Sequence, residues 1–124
     1  MSEIQLSIPV SPTEDRAKVA AAILSLFPDA VIEGDEVLRA SSSSLEAFSE
    51  QLTKQRIRAA ARKILMRGVE GSATTFRLNK QVATTGKVSF SEEEHPLGDI
   101  SVTIRSPNIQ SLIDELAPSS KEAP

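Results

Sequence analysis

Positive charge is concentrated in one stretch of this sequence, from Lys54 to Lys87. The stretch holds nine basic residues and one acidic residue, Glu70, whereas the other 90 residues hold five basic and sixteen acidic residues. Cations gathered on one surface raise the local potential and release counterions from nucleic acid, so the pattern favours phosphate binding. A second interpretation stays open, in which these side chains are ordinary solvated flanks of a helix that partly complement its dipole.

The basic side chains fall into two groups on a predicted helix, followed by a third set on the strands after it. The three sets are Lys54, Arg58 and Arg62; then Arg56, Lys63 and Arg67; then Arg77, Lys80 and Lys87. We expect the first group to project to the same side as Lys80 and Arg77, which would make one continuous basic surface. In the competing outcome, acids such as Glu33 or Glu50 pair with the helix and leave a mixed surface.

Length and composition limit the class of protein. A chain of 124 residues fits one domain, which we place at residues 1–117, and the polar, proline-bounded residues 118–124 are predicted to be a disordered tail. No cysteine is present, which excludes disulfides and thiolate metal sites. The sequence shows no membrane-length apolar run and no signal peptide, so a cytoplasmic protein is expected.

Catalytic patterns are absent from the sequence. His95 is the only histidine, and it follows the acidic run Glu92–Glu94 in what is predicted to be a solvated loop. Neither a glycine-rich phosphate loop nor a dinucleotide fingerprint occurs, and a transition-metal site would need more than one histidine at ligand spacing. We therefore expect no cofactor, no metal and no enzymatic activity.

The elements that must position the basic residues follow from hydrophobic periodicity. Alternation of apolar and polar residues from Glu3 to Val10 predicts a half-buried strand. Between Leu45 and Ile64 two apolar stripes are offset by roughly 150°, so we expect a helix break near Thr53 to Gln55 and a second helix ending at Gly68. Ser11, Ser43 and Ser106 are predicted helix caps.

The predicted element order is β-α-β-β-α-α-β-β-β-α. Strands that follow one another directly indicate an α+β fold of two layers, with a largely antiparallel sheet and helices packed on one face. The opposite sheet face is predicted to be polar and mildly basic, without large aromatic residues. Its predicted members are Gln5, Ser7, Thr75, Arg77, Asn79, Lys87, Ser89, Thr103 and Arg105.

Several short motifs resemble those of a known family. They are Gln55-Arg-Ile, Ala61-Arg62, the run from Phe76 to Ala83 that contains Leu-Asn-Lys-Gln, the run Gly86-Lys-Val-Ser-Phe90, and Pro96-Leu-Gly-Asp-Ile100. Over nearly its whole length the chain is similar to the archaeal uncharacterised protein family 0201. That family is labelled as predicted RNA-binding, and the resemblance implies a two-layer fold like that of the fifth large-subunit ribosomal protein.

The resemblance also adds site residues. By position, Asn79, Lys80 and Gln81 match the polar run of the family, and their side chains either close a turn or face a ligand. The chain departs from the family pattern at Ala59, where an aspartate is common, and near Arg77, where an aromatic residue can stand.

Together these observations predict a module that binds structured RNA through its backbone and shape, since no aromatic residue is expected on its surface. The alternative is a homodimerising assembly protein, in which the open sheet face or an edge strand pairs with a second copy. Which RNA is bound, the sequence leaves open.

Overall fold

The structure, a computed structural model, describes residues 2–91 and 98–118. Over these residues the chain forms six strands and five helices. In chain order they are β1 (Glu3–Pro9), α1 (Arg16–Leu26), β2 (Val31–Glu33), β3 (Val37–Ser42), α2 (Glu46–Lys54), α3 (Arg58–Arg67), β4 (Val69–Glu70), β5 (Ala73–Leu78), α4 (Lys80–Ala83), β6 (Ile100–Arg105) and α5 (Ile109–Leu116).

All six strands belong to one antiparallel sheet with the order β2-β3-β1-β6-β5-β4. The predicted α+β class is therefore confirmed, and so is the largely antiparallel sheet. No helix in the described ranges is long and apolar enough to cross a bilayer. The predictions for the acidic loop, for His95 and for residues 119–124 lie outside the described residues.

One face of the sheet carries the core. In β1 the side chains of Ile4, Leu6 and Ile8 are buried, while those of Gln5 and Ser7 are exposed. This alternation follows from the two-residue period of a strand, and it recurs in β3 and β6. The apolar face is covered by buried side chains of α1, α2, α3 and α5, so the opposite face is left open.

The four phenylalanines of the chain form a ladder on the helix side of the sheet. Ring centroids lie 5.6 Å apart for Phe27 and Phe48, 5.8 Å for Phe48 and Phe76, and 5.7 Å for Phe76 and Phe90. These separations are typical of favourable aromatic pairs. Because the chain has no tyrosine or tryptophan, its whole aromatic content is used in packing.

The predicted helix break is confirmed. Helix α2 ends at Lys54 and α3 begins at Arg58, so that Leu52 and Ala61, one from each stripe, are both fully buried. The turn between them is made by Arg56, whose φ of 57° lies in the left-handed region. A non-glycine residue is uncommon there, and the turn is needed to rotate the second stripe onto the core.

Gly68 ends α3 as predicted, but for a different reason. Its φ is −85°, so no left-handed turn requires a glycine. A Cβ on Gly68 would instead lie 2.2 Å from the carbonyl oxygen of Thr75. The end of α3 therefore approaches β5 too closely for any side chain, and the hydroxyl of Thr74 donates to Leu65 O at 2.6 Å beside this contact.

The three predicted serine caps are wrong. Asp15 caps α1 and Asn108 caps α5, each by accepting a hydrogen bond from a backbone N–H of the first turn. Helix α2 has no side-chain cap at all. The hydroxyls of Ser11 and Ser106 accept instead from an N–H two residues on, so they form short turns that precede the helices.

Ser43 forms hydrogen bonds to Asp29, in the loop before β2, instead of capping a helix. Its N–H and its hydroxyl donate to the carboxylate of Asp29 at 3.0 and 3.1 Å, and the hydroxyl of Ser42 donates to the same group. The bond from Ser42, and then those from Ser43, hold the pKa of Asp29 below its usual range. Ser43 therefore does not cap α2.

The region after β5 differs from the prediction. The predicted sheet face includes Lys87 and Ser89, which would require a strand there, and the structure has one bridge, between Leu78 and Phe90. Backbone bonds from Asn79 N to Ser89 O and from Ser91 N to Arg77 O extend it. The four-residue helix α4 and the two-residue strand β4 were not predicted, because such short elements show no measurable periodicity.

Candidate nucleic-acid interface

Lys80 does not lie on the surface. Its side chain is 2% exposed, and its ammonium donates to Pro9 O at 2.7 Å and to the Glu14 carboxylate at 2.8 Å. The prediction that Lys80 joins a basic surface is therefore wrong. Physically, the ammonium sits between α4 and the loop after β1, where a carbonyl and a carboxylate replace the water it gives up.

Glu14 responds to the same contact. Burial by itself would raise the pKa of Glu14, but hydrogen bonds from Lys80 and from the Ser11 N–H, together with the charge of Lys80, lower it below the usual range. The carboxylate is therefore ionised at neutral pH, and the two groups form a buried ion pair. This pair ties the first loop to the family motif Leu-Asn-Lys-Gln.

Arg62 faces the last helix. Its guanidinium donates to the Asp114 carboxylate at 2.7 Å and to Ala117 O at 3.2 Å. The bond from Arg62 lowers the pKa of the exposed Asp114. Arg62 thus joins α3 to the end of α5. It lies four residues after Arg58 on the same helix, whereas the predicted grouping with Lys54 spans the break between α2 and α3.

The other residues of the polar run are in different settings. Asn79 caps α4, since its side-chain oxygen accepts from Val82 N at 3.0 Å. That is the turn-closing role, and the Asn79 side chain is half-buried. Gln81 is exposed on the first turn of α4, and Lys63 is exposed on α3.

The junction of α2 and α3 presents the densest group of exposed cations. Lys54 ends α2, Arg56 makes the left-handed turn, and Arg58 begins α3, with Lys54 and Arg56 exposed and Arg58 half-buried. Between them, the Gln55 amide donates to Val88 O at 2.8 Å and accepts from Val88 N at 2.7 Å. This two-bond tether places exposed Lys87 next to the junction.

The segment that follows the tether runs on to the sheet. Ser89 and Ser91 are bonded to the backbone of Asn79 and Arg77, as described above. Residues 87–91 therefore connect the helix junction with the end of β5, where Arg77 projects from the opposite face of the sheet. We call the resulting group the basic rim; its members are Lys54, Arg56, Arg58, Arg77 and Lys87.

The basic rim corrects the predicted continuous surface. Arg77 and the helix cations lie on opposite faces of the sheet, so they meet only around the C-terminal end of β5, beyond the part that pairs with β4. In the described part of the chain, Lys54, Arg56, Arg58 and Lys87 make no ion pair within 4.0 Å. Their charges are thus available to an anionic partner, and neither Glu33 nor Glu50 neutralises them.

The open face of the sheet carries short polar side chains at the same end. Exposure of Gln5, Ser7, Thr75 and Arg105 confirms the predicted polar face, but Asn79, Lys87 and Ser89 are not part of it. Sequence reasoning missed Arg39, Ser41 and Ser101, although the alternation within β3 and β6 places them there. We call open face the group Glu3, Gln5, Ser7, Glu33, Arg39, Ser41, Thr75, Arg77, Ser101, Thr103 and Arg105.

Comparison with known proteins identifies the family. A family model described as RNA binding matches residues 3–106. A UPF0201 protein of Methanothermobacter thermautotrophicus is 43% identical over 122 residues, which cover 95% of this chain and 92% of that protein. The chain belongs to the UPF0201 family.

Solved structures of UPF0201 proteins have the same fold. One, titled an uncharacterized UPF0201 protein, matches with a TM-score of 0.90 at 38% identity and covers 98% of this chain and 97% of its own. Another, from Methanococcus jannaschii, matches with a TM-score of 0.84 at 36% identity, covering 97% and 96%. The expected likeness to the fifth large-subunit ribosomal protein stays a prediction.

Two features of this UPF0201 member bear on its chemistry. Ala59 is exposed on α3 beside Arg58, so the residue after Arg58 supplies no acid to the cations of the junction. Among the residues that the structure describes, no group of three or more histidine, aspartate or glutamate side chains is arranged to hold a metal ion.

Proposed function

We propose that this UPF0201 protein binds RNA through the basic rim, by contacts to phosphates rather than to bases. The observation that carries the proposal is the tether from Gln55 to Val88, because its two hydrogen bonds join Lys87 to the cations of the helix junction. The description of the matching family model, RNA binding, supports the same class of partner.

Phosphate contacts suit the side chains of the rim. Arginine offers a planar fork of donors to phosphate oxygens, lysine offers a point charge, and both release counterions when they bind. Arg56 adds a structural argument. Left-handed backbone at a non-glycine residue costs free energy, and such conformations cluster at functional sites. Here the turn presents a guanidinium to solvent.

Base stacking does not fit this surface. Single strands are usually held by exposed aromatic rings, each of which stacks on a base. All four phenylalanines of this chain lie in the core ladder. We therefore propose recognition of backbone and shape, with a binding role that includes no chemical step.

The salt dependence of RNA binding tests the proposal. We expect Arg56→Gln/Lys87→Gln to weaken binding and to reduce the slope of log Kd against log salt by about two, one contact for each cation. The matched control is Arg16→Gln/Lys18→Gln on α1, which makes the same change in net charge away from the rim. Equal losses in both variants would show that only net charge matters.

The tether itself is tested at Gln55. Gln55→Met removes both hydrogen bonds to Val88 without adding a charge, so we expect Lys87 to move and RNA affinity to fall. Gln55→Glu keeps an acceptor for Val88 N but cannot donate to Val88 O. If both variants bind RNA as well as the wild type, the tether does not organise the interface.

Self-association is a second candidate function, and one observation favours it. Strand β2 lies at an edge of the sheet, and Val31 on it is 63% exposed. Exposed edges pair readily with another chain. Sedimentation of the free protein decides this candidate. A dimer that dissociates on Val31→Lys would support it, and a monomer at all concentrations would exclude it.

A further inference from the structure

We propose that two copies of this chain form a reciprocal dimer through their helix layers, in which Met66 of each copy enters a groove between α2 and α5 of the other. The inference goes beyond RNA binding and does not rest on it. It also differs from pairing at the β2 edge, because it uses another surface and predicts that other variants dissociate the dimer.

The groove lies between the start of α2 and the end of α5, and its volume is about 370 Å³. Three leucines, each buried or half-buried, supply its apolar part, and two exposed glutamates lie beside them. The residues that line the groove are Ser2, Leu45, Glu46, Ser49, Leu112, Glu115 and Leu116. Its chemistry therefore suits an apolar side chain that has a charged neighbour.

Two carboxylates decide the sign of that neighbouring charge. Within the described residues, the side chains of Glu46 and Glu115 form neither an ion pair nor a hydrogen bond. Unpaired negative charges repel phosphate, so this groove does not suit RNA. They favour a cation, and the adjoining leucines favour an apolar group next to it.

Helix α3 presents this combination to solvent. Met66 is a large apolar side chain, yet it is 40% exposed. Lys63, three residues earlier on the same face of α3, is exposed and makes no ion pair in the described part of the chain. We call Lys63 and Met66 the knob. Methionine is unbranched and flexible, so it fills irregular apolar surfaces well, and the charges of knob and groove are opposite.

Knob and groove are neighbours at the end of α5. Arg62 donates there to Asp114 and to Ala117 O, and Met66 follows Arg62 by one helical turn. Asp114 in turn precedes Glu115 of the groove. The knob nevertheless stays exposed, so it does not fill the groove of its own chain. Because both surfaces belong to the helix layer, a two-fold axis lets each copy supply a knob to the other, and the two contacts form together.

The dimer leaves the basic rim accessible. Glu46 begins α2 and Lys54 ends it, so the groove and the rim lie about 12 Å apart along this helix. Lys63 is not a member of the rim. RNA binding and dimerisation therefore use separate side chains, and each can fail in experiment without the other.

Sedimentation of variants with exchanged charges tests the inference. We expect the wild type to form a reversible dimer. Lys63→Glu alone and Glu46→Lys/Glu115→Lys alone should each raise the Kd of the dimer by about tenfold or more, because like charges then meet at both contacts. An equal mixture of these two variants should dimerise like the wild type, because each knob then meets a groove of opposite charge.

The apolar contact is tested separately. Met66→Gln keeps every charge and should raise the Kd by about tenfold, since two buried methionines are lost from each dimer. The controls are Lys18→Glu on α1 and Glu50→Lys on α2, two exposed residues outside the knob and the groove. Each control should dimerise like the wild type, and a mixture of the two should dimerise no better than either alone.

A wild type that stays monomeric at every concentration would overturn the inference, and so would a mixture of the charge variants that stays monomeric. Oligomers larger than a dimer would overturn the two-fold arrangement, because they require head-to-tail contacts. Dimers that resist Met66→Gln but dissociate on Val31→Lys would assign the contact to the β2 edge instead. Absence of RNA binding by a dimer that follows these expectations would overturn the proposed function alone.

Discussion

Lys80 and Lys87 belong to the same basic stretch, seven residues apart, and the fold uses them in opposite ways. Lys80 is 2% exposed and forms a buried ion pair with Glu14, 66 residues earlier in the chain. Lys87 is exposed and is brought to other cations by the tether of Gln55. One lysine holds the fold together, and the other is free to meet a partner.

The difference lies in what surrounds each ammonium. Lys80 is the first residue of α4, and its ammonium lies between α4 and the first loop, where Pro9 O and the Glu14 carboxylate accept from it. Lys87 lies beyond α4, in a segment held by the backbone bonds of Ser89 and Ser91 and by the Gln55 side chain. A cluster of positive charge in a sequence is therefore a mixture of structural and functional cations.

Removal of the buried pair should have the largest effect. We expect Lys80→Met to lower the free energy of unfolding by about 3 kcal/mol, because it leaves the Glu14 carboxylate, whose side chain is only 14% exposed, without its cation. Glu14→Gln should cost a comparable amount. Lys80→Met/Glu14→Gln should cost less than the sum of the two, because neither charge is then left alone.

Urea denaturation of the four proteins measures this coupling. Additive losses would mean that the two residues do not act as a pair, and the comparison between Lys80 and Lys87 would lose its basis. RNA binding of a folded Lys80→Met protein should stay close to that of the wild type, because Lys80 is not on the basic rim.

Acid should destabilise the wild type through the same pair. The pKa of Glu14 is lower in the folded chain than in the unfolded chain, so the folded state binds fewer protons there and stability falls as pH falls. We expect the loss to begin near the usual glutamate pKa of about 4.3 and to grow below it. Unfolding free energies from pH 7 to pH 3 should fall less steeply for Lys80→Met/Glu14→Gln; parallel curves would contradict this.

Loss of the Arg62 side chain should lower the stability of the protein, as loss of Lys80 does, but by a smaller amount. Arg62→Ala removes the hydrogen bond to Ala117 O, for which we expect about 1 kcal/mol of lost stability, and the exposed pair with Asp114 adds little. RNA binding should not change. Lys63→Ala, on the next residue of α3, is the control and should leave stability as it is. If Arg62→Ala binds RNA more weakly than the wild type, Arg62 also contributes to the RNA interface.

Arg56→Gly should have the smallest effect on stability, and in the opposite direction. Glycine tolerates the left-handed φ of 57°, so we expect a gain of about 0.5 kcal/mol after its greater loss of chain entropy. RNA binding should weaken, because a cation of the basic rim is lost. A variant that is more stable and binds equally well would show that the turn serves only the fold.

The sequence predicted those parts of the fold that depend on repeated patterns. Alternation identified β1 and β6, and two offset stripes located the break between α2 and α3 to within a few residues. Caps failed because a second polar residue stands between the serine and the helix, Asp15 after Ser11 and Asn108 after Ser106, and which side chain reaches an N–H depends on how the loop packs. Elements of two or four residues, such as β4 and α4, have no period to detect.

The site was predictable only in its charge. The segregation of basic residues drew attention to Lys54, Arg56 and Lys87, which the structure leaves exposed. It also drew in Lys80 and Arg62, whose partners Glu14 and Asp114 lie 66 and 52 residues away in sequence. No local sequence pattern predicts a pairing between residues so far apart in the chain. The tether of Gln55 to Val88 could not be predicted for the same reason, although Gln55 lies in one of the motifs that resemble the family.

The position of β1 in the sheet has a consequence for how the chain acquires its shape. Its first strand lies between β3 and β6, and Glu3 is paired with Arg105, about a hundred residues later. On the ribosome, β1 and the β2–β3 hairpin emerge early but must wait for nearly the whole chain before the sheet can close. Loop closure over such a distance slows folding, so the half-built sheet exposes an unpaired inner edge while synthesis continues.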